Sequence, residues 1–233
     1  MKLAHMKKIS LATVALFSFL VGVAPAAAEG SGTLIPLDQG RTWTYEGRAQ
    51  WTITTVRDSM HQNRIRHGAV RWTMRVLKSD SRHGTIAALV AGFPLEFAWD
   101  NPASEPGYAV VIEDEKGIFF EGVDSQKDGE AIARQALDGA AVGDQILRFP
   151  VHAGECVGKS ASMPPKNHYC WFVRRRVQQA EGLAWEVVFY TLPDEQTVYV
   201  IPGVGISRFT YRHHGTLMSL DVSLRESHEG AAL

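Results

Sequence analysis

From Thr42 onward, apolar and polar side chains alternate with a period of two, broken by short clusters of Gly, Pro, Asp, Asn and Ser. Such alternation marks half-buried strands, whose successive side chains face opposite sides of a sheet. Segments 42–56, 69–77 and 84–93 are rich in Trp, Thr, Ile, Val and Tyr and predict strands. Segments 108–114 and 117–122 flank Glu115-Lys116 and predict a hairpin. Only 128–139 changes period: Ile132, Ala136 and Leu137 make one stripe, Asp128 is a candidate N-cap, and Gly139 a candidate terminator. Strand patterns then resume in YCWFVRRRV, LAWEVVFYTL, QTVYVI, ISRFTYR and TLMSLDVSL. The expected fold is mainly β, with antiparallel meanders forming a curved sheet, half-barrel or sandwich, and one short helix.

The two halves share a plan. VRWTMRVLKS around Trp72 aligns with LAWEVVFYTL around Trp185, and TIAALVAGFPLEFAW aligns with TVYVIPGVGISRFTY at almost the same offset. The expected organisation is a first meander over 29–123, a helical connector over 124–145, and a second meander over 146–233 that holds a disulfide loop.

Ahead of these strands lies a segment of another kind. Lys2, Lys7 and Lys8 precede an apolar run from Ile9 to Val23, and Ala24-Pro25-Ala26-Ala27-Ala28 follows. This is the layout of a cleavable signal peptide over 1–28, with cleavage near Ala28, and it predicts a periplasmic or secreted protein. The apolar run is shorter than the roughly 20 residues a spanning helix needs, so no membrane span is expected after cleavage. The whole chain of 233 residues has a formal charge of −1, and the leader holds three lysines and no acids. The remainder is therefore acidic overall and lacks the basic footprint of a nucleic-acid-binding domain. Cys156 and Cys170 are the two cysteines. An even count in an oxidising compartment predicts that they pair.

IPLDQGRTWTYEG resembles the P-L-x-x-G-x-x-W-x-Y opening of a group of secreted or lipoprotein-like bacterial β-proteins, and GFPLEFAW and TLPDEQTVYVIPGVGISRFTYRHHGT resemble later signatures of that group. The resemblance implies export and a β fold. It implies no activity, and the N-terminal cysteine of lipidated members is absent from this chain.

Several motifs with chemical precedent fail on inspection. Gly203 and Gly205 lack the third glycine and the following helix of a dinucleotide loop. Ser207 lacks the glycine of a nucleophile elbow, because Phe209 stands there. Asp124, Asp128 and Gly129 sketch a calcium loop whose closing acid is replaced by Gln135. Arg-His-Gly occurs at 66–68 and 82–84, with Arg-His-His-Gly at 212–215, and reads as turns before hairpin glycines. His213 and His214 are weak metal candidates, since neighbours on a strand face opposite ways. No catalytic residue, metal or cofactor is expected. The candidate ligand-binding residues are aromatic: Trp43, Tyr45, Trp72, Trp99, Trp185 and Tyr211. They either fill a core or line an apolar cleft.

The expectation is an exported, non-enzymatic envelope protein that binds an apolar or amphipathic ligand (lipid, glycan or peptide) or a protein partner. The alternatives are a metal-dependent or serine hydrolase using dispersed His, Asp and Glu, and an assembly module without a ligand pocket.

Overall fold

The computed structural model describes residues 33–57, 60–94, 107–158, 168–213 and 218–230, with backbone alone at 53–57, 60–63 and 218. The strands are β1 (Thr42–Arg57), β2 (Met60–Arg82), β3 (Thr85–Ala91), β4 (Tyr108–Asp114), β5 (Gly117–Val123), β6 (Asp144–Arg148), β7 (Cys156–Val157), β8 (Trp171–Gln178), β9 (Leu183–Tyr190), β10 (Asp194–Ile201), β11 (Gly205–His213) and β12 (Met218–His228); helix α1 (Gln126–Leu137) lies between β5 and β6. They form one antiparallel sheet in the order β6-β5-β4-β3-β2-β1-β12-β11-β10-β9-β8-β7. This is an up-and-down meander whose last strand returns beside its first. The outer strands β6 and β7 share no ladder. They lie close nonetheless: Arg148 Nη1 is 2.7 Å from Glu155 Oε1, and a Cβ on Gly158 would sit 3.2 Å from Asp144 Oδ1. The sheet is thus nearly closed into a barrel, as the alternation predicted. Gly32–Leu233 forms one compact unit, and its core draws on both meanders.

Alternation determines what faces inward. Trp43, Tyr45 and Ala49 of β1 meet Val70, Trp72, Met74 and Val76 of β2, Val198 and Val200 of β10, and Leu220, Val222 and Leu224 of β12. A segment ahead of β1 closes one end of the barrel. Leu34, Ile35 and Leu37 are buried there. The Glu113 carboxylate accepts the Leu34 and Ile35 N–H groups at 2.9 and 3.3 Å. Burial pushes the Glu113 carboxyl above its ordinary pKa, and those two backbone donors oppose the shift.

Helix α1 covers part of the outside. Ala136 and Leu137, with Ile132 and Ala133, pack on the outward residues Ala87, Leu89, Val110 and Ile112. Its N-cap is Ser125, not the predicted Asp128. The Ser125 hydroxyl accepts the Asp128 N–H and donates to the Asp128 carboxylate, so the first turn begins three residues earlier. Gly139 follows the helix end with φ of 88°, as expected of a terminating glycine.

A second correction concerns Arg66-His67-Gly68, predicted to be a turn. It lies inside β2, which runs through it from Met60 to Arg82. Gly68 pairs with Ala49, and a Cβ there would approach the Trp51 ring at 2.9 Å. The glycine makes room for an indole and bends nothing. The copy at His83-Gly84 is a true turn, with φ of 52° and 82°. In the basic run 174–176, Arg174 is half-buried while Arg175 and Arg176 are exposed. A register shift between Val173 and Arg175 lets Arg174 and Arg175 both bond the buried Glu186 carboxylate, at 2.6 and 2.8 Å. Arg176 lies 4.5 Å over the Trp185 ring.

Candidate functional site

The aromatic candidates within the described residues occupy the inner face. Trp43 is buried and its Nε1–H donates to the Val204 carbonyl at 2.8 Å. Tyr45 is buried, stacks on Trp72 with ring centroids 4.9 Å apart, and donates its hydroxyl to the Ile206 carbonyl at 2.9 Å. That burial pushes the Tyr45 phenol far above its ordinary pKa. Trp72 donates to the Gly92 carbonyl at 3.3 Å. Trp185 is buried beneath Arg176, and Tyr211 is half-buried at the core margin. Tyr45 and Trp72 thus meet as a ring pair. Trp99 and His214 lie outside the described residues.

Cys156 and Cys170 are disulfide-bonded, with Cα atoms 5.8 Å apart. His213 belongs to a polar cluster at the start of β10. Asp194 Oδ1 contacts His213 Nδ1 at 2.6 Å and accepts the Tyr211 hydroxyl, while Oδ2 accepts the Thr191 hydroxyl at 3.2 Å. Burial alone would raise the Asp194 carboxyl, but the bonds from Tyr211, His213 and Thr191 outweigh it and hold the group below its ordinary range. The cluster orients a histidine yet offers no activated nucleophile. The Ser207 hydroxyl is committed to the Tyr199 carbonyl at 3.2 Å, and no three His, Cys, Asp or Glu side chains converge for a metal among the described residues.

The clefts lie outside the core. One of about 350 Å³ sits between the end of α1 and the β2–β3 and β4–β5 turns, lined by His83, Asp114, Lys116 and Phe119. Two others adjoin at the root of the β1–β2 hairpin and share Arg48 and Ala69. The larger, about 620 Å³, is lined by Gln50, His67 and Ser219 besides; the smaller, about 420 Å³, by Glu46, Arg71 and Arg225.

That hairpin is the feature the sequence reading missed. β1 pairs with β12 only as far as Gln50, and β2 pairs with β3 only from Arg75, yet β1 and β2 stay in register out to Arg57 and Met60. Seven residues of β1 beyond the last β12 partner, at about 3.4 Å each, make a two-stranded arm roughly 24 Å long. From Arg48 to Arg71 the arm and its root carry Arg48, Arg57, Arg64, Arg66 and Arg71 against one acid, Asp58. The rest of the chain holds nineteen basic and twenty-four acidic residues. Arg48, Arg64 and Arg66 are exposed and form no ion pair with a described acid. Arg71 is engaged by Glu46 and Glu226 at 3.1 and 3.8 Å. The readable signal was the alternation of β1 running on past Gln50, with Trp51 diagonally across from Gly68.

No family model matches the chain, and no curated protein matches it. Among solved structures it is similar to a Bacteroides fragilis NCTC 9343 protein described as exported with a YmcC-like fold, at 13% identity and a TM-score of 0.38, over 85% of this chain and 100% of that one. A likeness that distant carries no argument for this chain.

Proposed function

We propose that the chain is exported and works as a non-enzymatic envelope module that recognises a protein partner on its outer surface. Export rests on the leader-like segment 1–28 and on the paired Cys156 and Cys170. The observation that carries the surface reading is the filled interior. Trp43, Tyr45, Trp72, Met74, Phe93 and Phe209 are buried in one cluster with Val, Ile and Leu from both meanders. The inward aromatic polar atoms of Trp43, Tyr45 and Trp72 are spent on backbone carbonyls. Carriers of apolar ligands keep a concave pocket of several hundred Å³ lined by such side chains. Here those side chains pack on each other, and the open clefts at the hairpin root are external and rimmed by Arg48, Arg71 and Arg225. A hydrolase finds less support, because Ser207 is tied to a carbonyl and His213 faces no described nucleophile.

Native mass spectrometry of the protein taken from its own envelope tests this. A stoichiometric protein partner is the expected adduct. A retained lipid-sized adduct without any protein partner would overturn the reading.

A further inference from the structure

We infer that the β1–β2 arm is a docking strand for an extended acidic protein segment, which adds to the β2 edge along residues 60–71. The inference rests on the surface-recognition reading above and names where recognition occurs and what chemistry it takes.

Three observations converge on it. First, the edge is open: on the side that β3 occupies from Arg75 onward, β2 has no ladder partner over 60–71 among the described residues. An unpaired strand edge presents a row of N–H and C=O groups that a second extended chain can complete. Second, the charge selects the partner. Arg64 and Arg66 are exposed without a described counter-ion, in a stretch of five arginines and one acid. Arms of two copies would repel each other. The body of a second copy is a poor substitute, because Glu46, Glu186, Asp194 and Asp221 already hold partners within the chain.

Third, the arginines are distributed over both faces. Arg64 and Arg66 share the parity of Val70, Trp72 and Met74 and so fall on the core-side face, whereas His67 and Arg71 fall on the opposite face together with Arg48. A flat anionic membrane would meet only one face. An extended chain lying in the plane of the sheet sends alternate side chains to both, so its acids reach arginine on either side. Exposed Ile65, at 45%, offers an apolar contact on the face of His67 and Arg71.

The test uses the leaderless chain and a synthetic peptide of about ten residues, built from Glu, Thr and Val with acids on both faces, and its Lys-for-Glu counterpart. Binding of the acidic peptide alone, with slowed amide exchange over 60–71, is expected. Arg64→Glu with Arg66→Glu should weaken it about tenfold or more, and Arg64→Lys with Arg66→Lys should retain most of it. Unchanged affinity in the double Glu variant, or protection confined to other strands, would overturn the inference. So would co-sedimentation with phosphatidylglycerol vesicles in place of peptide binding, or peptide-independent dimerisation through the arm. A protein partner found by native mass spectrometry whose binding survives the double Glu variant would sink this inference and leave the surface reading standing.

Discussion

Asp194 shows how much one carboxylate can organise. It gathers His213, Tyr211 and Thr191 at the mouth of the β10–β11 hairpin. Its folded pKa lies below the unfolded value of about 3.9, so its contribution is complete above that value and is lost as pH falls through the lower, folded one. Asp194→Asn is therefore expected to lower stability at neutral pH and to flatten the acid limb of a pH-dependent urea denaturation series below about pH 4. An unchanged acid limb would show that other carboxylates govern it. The sequence pointed to His213 and Tyr211 by residue type alone. It could not show that both converge on an aspartate 19 and 17 residues away, because that convergence depends on strand register. Tyr45 and Trp43 pose the same difficulty over 161 residues. Their aromatic character was legible, but the backbone carbonyls that receive them were not.

Among the elements, β4 and β5 followed directly from alternation around Glu115-Lys116, since a short turn between two apolar runs leaves little freedom. β2 did not, because glycine has two uses. At Gly84 it supplies a left-handed φ, whereas at Gly68 it supplies space for the Trp51 ring. Local sequence shows only the residue type. Gly47 is a third case of space. A Cβ there would fall 1.9 Å from the Asp221 carbonyl oxygen and 2.6 Å from the Val222 Cα, both backbone atoms of β12. Gly47→Ala must push β12 off β1, and is expected to cost about 3 kcal/mol or more, read as a lower urea midpoint. A midpoint within error of the parent would mean that the β1–β12 contact is slack.

For the whole molecule, near-closure was legible in outline, because period-two strands of this number must curl to hide one face. The partner of each outer strand was not legible, and β6 and β7 end the ladder without one. The Cys156–Cys170 bond lies beside that seam and ties β7 to the start of β8 across 14 residues. In the chain-entropy model it stabilises by about 3 kcal/mol. Reduction should then lower the melting temperature by roughly 6–12 °C for a chain of this size. A scan with and without dithiothreitol reads this directly, and coincident curves would make the bond ornamental.

The pairing of β1 with β12 carries a consequence in time. Trp43 and Tyr45 reach their neighbours on β12 only after almost the entire meander has been laid down between them. Loop closure over so long a span is slow, and sheets dominated by such contacts fold late. A chain threading a membrane from its N-terminal end would deliver β1 first and β12 last. Until β12 arrives, β1 offers a bare edge and uncovered indoles to its surroundings. The molecule would therefore spend its passage as an unfinished sheet, which makes the interval before β12 emerges its most aggregation-prone.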